Sequence, residues 1–320
     1  MGSKPCVRPP RLRRGSRVAL VAPAGPLLER DHIQRAVELC RALDYEPVVA
    51  EHAAARYGYL AGTDAERLAD LNGAIRDRAI DGIWCLRGGY GVTRILDGVD
   101  FEALARSPKP VIGLSDITAL LAGVTRVSGV VAFHAPGARH PMPAFSRRHF
   151  ERVLMCAEPA GALEHLPARP DVLLPLDDRV VTLREGVAEG PLAGGNLSLL
   201  QCLIGTRWLP DLDGAILVLE DVNEDLYRVD RMLAHLRAAG ALSRLAGVAI
   251  GRFTEMKCHN ADGVFGFDEV LGHYLLPLGI PVALGLPFGH IDDQWTLPLG
   301  ARARLDAGRG MLEIAEPAVA

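Results

Sequence analysis

The stretch Val111-Ile112-Gly113-Leu114-Ser115-Asp116-Ile117-Thr118-Ala119-Leu120-Leu121 decides how this chain is read. It starts as a short apolar run that suits a buried strand, and past Ser115 it becomes helical in pattern without an intervening loop. The same strand–helix unit recurs upstream. Residues 17–22 are an apolar run that ends in Pro23-Ala24-Gly25-Pro26. Residues 31–43 carry apolar side chains at helical spacing, and 46–49 read as a second strand. Thr63-Asp64-Ala65-Glu66 is a capping box that opens a helix through Leu68, Leu71 and Ile75. Residues 80–86 form a third strand and 111–114 a fourth. Alternation of this kind predicts an α/β fold with a mostly parallel sheet.

Downstream the pattern breaks. Residues 157–189 carry Pro159, Pro167, Pro170 and Pro175 among short patterns, which predicts a connection between domains. Gly190-Pro191-Leu192-Ala193-Gly194-Gly195 then opens a second unit. Asn196 is placed to cap a helix that ends at Gly205. Residues 215–219, 248–250 and 281–284 read as strands, and 225–239 as a helix with Leu226, Val229, Leu233 and Leu236 on one face. The expected division is an N-terminal α/β domain over 1–156, a linker over 157–189 and a C-terminal domain over 190–320.

Composition narrows the function classes. The chain has 320 residues, 49% hydrophobic and 23% charged, enough for a core without staples. A net charge of −4 and 5% aromatic residues offer neither a basic field nor a stacking platform for nucleic acid. No stretch is long and apolar enough to span a membrane or serve as a signal peptide. Cys6, Cys40, Cys85, Cys156, Cys202 and Cys258 are scattered without a CxxC pair, and several lie in apolar runs. That predicts reduced, mostly buried thiols and a cytoplasmic protein. The basic N-terminus, MGSKPCVRPPRLRRGSR, reads as a solvated, partly disordered tail, or otherwise as a weak electrostatic docking arm.

Four places carry candidate chemistry. Ser115 stands at a strand-to-helix turn, where following N–H groups lack intrahelical partners and can receive an oxyanion; its bland alternative is an N-cap. Arg87-Gly88-Gly89-Tyr90-Gly91 follows the third strand and can bring a backbone N–H close to a reacting group, or simply make a tight turn. Glu220 and Asp221 end an apolar run, where a carboxylate can orient a histidine or cap a helix. His290, in Gly289-His290-Ile291-Asp292-Asp293, is placed as a general base or an ordinary surface histidine; no second histidine at ligand spacing supports a metal. The chain order Ser…Glu…His, each at the end of a predicted strand, suits an α/β active site.

These pieces carry a resemblance. Val21-Ala22-Pro23-Ala24-Gly25-Pro26, the Arg87–Gly91 loop, Gly113-Leu114-Ser115-Asp116, Gly194-Gly195-Asn196-Leu197, Leu219-Glu220-Asp221, Tyr227-Arg228-Val229-Asp230-Arg231 and Gly289-His290 occur in order from about Val18 to Gly300. Together they resemble the LD-carboxypeptidase family of serine peptidases, which includes the microcin C self-immunity peptidases. The resemblance implies an N-terminal flavodoxin-like domain, a smaller C-terminal mixed α/β domain, a homodimer, no cofactor and no metal. It implies removal of the terminal D-alanine from murein tetrapeptides in peptidoglycan recycling. Ser115 would be the nucleophile, His290 the base and Glu220 its acid, with Glu224 an alternative for the acid. Oxyanion donors would be the backbone of Asp116 and Gly89, beside Gly88. An exopeptidase must also hold a free carboxylate, for which Arg87 and Arg228 are the candidates. At Phe133-His134-Ala135-Pro136-Gly137 the chain departs from the family's His-Gly-Pro-Met, which bears on a neighbouring substrate loop. Rival readings are a peptidase for aminoacyl-nucleotide analogues and a two-domain small-molecule binder without chemistry.

Overall fold

A computed structural model describes residues 6–29, 31–139, 142–167, 179–257 and 265–320. Cys258 and the linker prolines Pro170 and Pro175 lie outside them. The strands are β1 (Arg17–Val21), β2 (Glu46–Val49), β3 (Gly82–Cys85), β4 (Val111–Gly113), β5 (Ala132–His134), β6 (Pro159–Ala162), β7 (Val181–Arg184), β8 (Val187–Asn196), β9 (Ile216–Val222), β10 (Gly247–Thr254), β11 (Val282–Gly289), β12 (Leu297–Leu299), β13 (Arg302–Asp306) and β14 (Met311–Pro317).

They form two sheets. The first runs β12-β5-β4-β3-β1-β2, with β1 to β5 parallel and β12 antiparallel on the edge. Its parallel order, 2-1-3-4-5, is that of the flavodoxin-like doubly wound sheet. β1, β3 and β4 are buried throughout or nearly so, as strands covered on both faces must be. The second sheet runs β6-β14-β13-β8-β9-β10-β11-β7. Its centre, β8 to β11, is parallel, and its flanks are antiparallel.

Several local expectations hold in detail. Thr63 accepts from the Glu66 N–H, and Glu66 returns the bond to the Thr63 N–H, which closes the capping box on the helix Asp64–Arg76. The Asn196 side chain accepts from the Leu199 N–H and caps the helix Leu197–Cys202.

Three expectations change. The glycine-rich opening at 190–195 is strand β8 itself. A Cβ on Gly194 would lie 2.1 Å from the Val218 carbonyl, so the strand approaches β9 more closely than side chains allow. Residues 157–189, read as a connection, contribute β6 and β7 to opposite edges of the second sheet. The basic N-terminal arm is bound over its described part. Leu12 is 1% exposed and packs where a Cβ on Gly82 would stand. The Arg11 N–H donates to Ala320 O, and the Leu12 N–H to Leu154 O. Arg8, Arg11, Arg13 and Arg14 remain at the surface while Leu12 and Pro9 anchor the arm. Of the described cysteines, Cys40 and Cys85 are buried, Cys6 is half-buried, and Cys156 and Cys202 are exposed.

Candidate active site

The first sheet delivers Ser115 on a sharp elbow. Ser115 has φ of +66°, in the left-handed region that L-residues avoid. A Cβ on Gly113 would lie 2.8 Å from the Ile117 methyl, so only glycine lets the chain turn so tightly beneath the serine. Leu114, and not Ser115, occupies the cap position, and no side chain caps this turn. The Ser115 hydroxyl is thus free of the structural task that sequence also allowed it.

The loop after β3 closes on this elbow. A Cβ on Gly88 would lie 2.7 Å from Ser115 Cβ, 2.9 Å from its Oγ and 3.0 Å from the Asp116 nitrogen. Bare backbone therefore faces both the hydroxyl and the amide behind it. Gly89, with φ of +110°, packs against Gly25, and the Gly25 N–H donates to Gly88 O at 3.0 Å. The loops after β1 and β3 meet here, at the point where the strand order reverses and doubly wound sheets bind ligands. Arg67, fully buried, pins both: its guanidinium donates to Pro23 O and Gly91 O. Asp116 turns its carboxylate away from the elbow to accept from the Val92 N–H at 2.9 Å. Burial raises the pKa of that carboxyl, against the lowering effect of this bond.

The second sheet delivers Glu220 and His290. Glu220 lies within β9, wholly buried, and His290 follows β11 directly. The register between β10 and β11 shifts after Ile250, so that Arg252 pairs with Gly289. Gly289 has φ of +117°, and a Cβ there would lie 2.9 Å from Glu220 Cβ and 3.1 Å from Arg252 O. Through that glycine, His290 Nδ1 reaches Glu220 Oε2 at 2.7 Å. Burial lowers the pKa of His290, but the hydrogen bond and charge of Glu220 outweigh it, and the net shift is upward. Glu224 is not the partner. It lies 3.7 Å from Arg228 and within reach of the Ser198 hydroxyl.

Ser115, His290, Arg87, Gly88, Gly89 and Arg139 line one cavity of about 220 Å3. Ser115 and His290 share its wall, although no hydrogen bond joins them. The arrangement supplies a strained hydroxyl, an imidazole with a bonded carboxylate behind it, and backbone amides alongside, the constellation needed for acyl transfer.

Not every expected residue is here. Arg228, on the helix Leu226–Ala238, lines a separate cavity with Glu224, Arg231 and His235. Its guanidinium stands over the Tyr227 ring and near Asp225. Asp221 accepts from Asn196 Nδ2 and from the Ser198 N–H and hydroxyl, which secures the helix Leu197–Cys202. Sequence reasoning missed Arg139, because it follows Gly137-Ala138 in a loop with no periodic pattern. It also left His134 without a role. That residue is fully buried beside Phe288, and burial lowers its pKa so that it stays neutral near Glu220.

Comparison with known proteins identifies the family. The LD-carboxypeptidase N-terminal domain pattern matches residues 18–135, and the C-terminal domain pattern matches 189–305. The chain is 36% identical over 299 residues to the murein tetrapeptide carboxypeptidase of Pseudomonas aeruginosa, covering 92% of this chain and 94% of that one. The muramoyltetrapeptide carboxypeptidase of Oxalobacter formigenes superposes with a TM-score of 0.78 at 32% identity, over 93% of this chain and 97% of that one. A microcin C7 self-immunity protein in complex with aspartyl sulfamoyl adenosine superposes with a TM-score of 0.87 at 24% identity, over 98% and 100% of the two chains. That last likeness speaks to the fold alone.

Proposed function

The chain belongs to the LD-carboxypeptidase family and is a serine carboxypeptidase, and from that premise we propose that it removes the terminal D-alanine from murein tetrapeptides. In this reading Ser115 is the nucleophile, His290 the general base and Glu220 the acid that orients it. One observation carries the assignment: the cavity lined by Ser115 is also lined by His290, whose Nδ1 is bonded to a buried carboxylate. The substrate class is taken from the Pseudomonas and Oxalobacter relatives. Among the described residues no helix is long and apolar enough to cross a membrane. The reading extends to recycling of wall fragments in the cytoplasm by a homodimer.

Because Nδ1 is engaged by Glu220, the working nitrogen of His290 is Nε2. It takes the proton from the Ser115 hydroxyl as the oxygen adds to the scissile carbonyl. The Asp116 and Gly89 N–H groups receive the developing oxyanion, a role worth roughly 10²–10³ in rate per donor. His290 then gives its proton to the departing D-alanine nitrogen as the C–N bond breaks, leaving an ester on Ser115. Water, deprotonated by His290, cleaves that ester and restores the hydroxyl.

The test is release of D-alanine from L-Ala-γ-D-Glu-meso-diaminopimelyl-D-Ala, with Ser115→Ala alongside. Release by the wild type, lost in the variant without a change in melting temperature, is the expected result. Release by both removes Ser115 from its role. No release by a folded wild type moves the substrate to the aminoacyl-nucleotide class.

A further inference from the structure

Within the Ser115 cavity, Arg139 is the charged residue to which neither the sequence motifs nor the acyl-transfer chemistry assigns a task. Its position is built, not incidental. After β5 the chain is fastened along the end of β3: Trp84 Nε1 donates to Pro136 O at 2.8 Å, and the Ala138 N–H donates to Cys85 O at 3.2 Å. A Cβ on Gly137 would lie 2.9 Å from Leu86 O, so glycine is what lets this segment lie so close. Arg139 follows Ala138, and it lines the same cavity as Arg87, which follows the end of β3.

Arg87 donates to the Pro26 carbonyl, and Arg139 Nε is buried without a hydrogen-bond partner. Among the described residues neither is paired with a carboxylate at ion-pair distance. Burial, and then the charge of Arg87, lowers the pKa of Arg139, against the opposing charge of Glu29, which acts from beyond ion-pair distance. Two like charges facing one small cavity are costly unless an anion joins them, and guanidinium geometry suits a carboxylate. On the acyl side a meso-diaminopimelyl residue carries an ammonium and a carboxylate on the same distal carbon, so it brings no net charge to this wall. The leaving residue carries a free α-carboxylate.

We propose that Arg139, together with Arg87, is the clamp for the terminal carboxylate of the residue released from the Ser115 cavity. The clamp makes the enzyme an exopeptidase, because a chain that continues past the leaving residue, or ends in an amide, brings no charge to it. The proposal rests on the carboxypeptidase reading above and takes over the task that sequence gave to Arg228.

The test compares kcat/KM for the tetrapeptide ending in D-alanine with that for the same peptide ending in D-alaninamide. The wild type is expected to prefer the free acid by about 100-fold, the scale of a charge-assisted pair. Arg139→Gln should lose about that factor on the acid through KM and little on the amide, while Arg139→Lys recovers part of it. Equal losses on acid and amide, or an acid preference that survives Arg139→Gln, overturn the clamp. If the wild type cleaves neither peptide, it is the murein reading that fails. The clamp is then judged by calorimetry of N-acetyl-L-Ala-D-Ala and its amide on Ser115→Ala protein. Tighter binding of the acid, abolished by adding Arg139→Gln, supports it; equal binding of acid and amide, or an acid advantage that outlasts Arg139→Gln, overturns it.

Discussion

At the scale of single residues, His290 stands between two opposed influences. Its burial disfavours the imidazolium, while Glu220 favours it through a 2.7 Å bond and electrostatic attraction. Glu220 wins, so the folded-state pKa lies above the ordinary histidine value of about 6.5. In its proposed role as base His290 must be neutral, so activity should be lost as pH falls through this raised pKa and be full above it. Glu220→Gln removes the largest favourable influence and leaves the burial opposed only by the weaker effects of Asp221 and Glu255. The acid limb of the kcat/KM profile should then move to lower pH, while the plateau falls by about four orders of magnitude, as for a misoriented triad histidine. A limb that stays in place, or moves up, would remove Glu220 from the proposed role. Ser115, Glu220 and His290 could all be read from sequence because each is a polar residue at the end of an apolar run. The choice between Glu220 and Glu224 could not. It depends on β9 continuing to Val222, which keeps Glu220 inside the sheet opposite Gly289. Nor could the fate of Arg228, since sequence gives its charge but not the cavity its helix turns it toward.

At the scale of elements, the site is made by glycines that let loops touch. Gly88 has an ordinary φ, so alanine there costs little in backbone conformation; what it costs is space. The added methyl would stand 3.0 Å from the Asp116 nitrogen, in the position proposed for the oxyanion. Gly88→Ala should therefore cut kcat by roughly 10²–10³, the scale of one lost donor, and lower the melting temperature as well, because the same methyl would stand 2.7 Å from Ser115 Cβ. An active Gly88→Ala enzyme would move the oxyanion site elsewhere. Gly289→Ala is a different case, because φ of +117° and the 2.9 Å approach to Glu220 Cβ both oppose a side chain. It should lower both activity and stability, the latter by about 1–3 kcal/mol, measured by denaturant unfolding. Loss of activity with unchanged stability would mean that β11 adapts without cost. The longer elements were legible because their periodicity repeats. Strand β8 was hidden by glycines that serve close packing, and β5 and β12, of three residues each, are too short to carry a period.

At the scale of the whole molecule, the halves that carry Ser115 and His290 are stitched together at several points. Strand β12 pairs with β5 in the first sheet, and after Gly300 and Ala301 the chain enters β13 of the second. At that crossing the Gly300 N–H donates to Leu192 O, and the Leu192 N–H donates to Ala301 O. Thr118 Oγ1, on the helix that follows Ser115, accepts from the Asn196 N–H at the end of β8. The C-terminal Ala320 exchanges backbone bonds with Pro9 and Arg11 of the N-terminal arm. One buried apolar cluster runs from Val18 and Ile112 in the first sheet to Leu297, Leu305 and Ile314 near and within the second. Halves joined in this way have little to gain from unfolding separately. Denaturant unfolding should be a single transition, the same by fluorescence of Trp84, buried against the first sheet, and by hydrogen exchange of β10 amides in the second. Leu297→Ala, which empties a wholly buried site at the crossing, should lower the stability reported by both probes together, by about 2–5 kcal/mol. Two separated transitions in the wild type, or a Leu297→Ala effect confined to one sheet, would mean that Ser115 and His290 are carried on bodies that open independently, with the cavity between them formed only on closure.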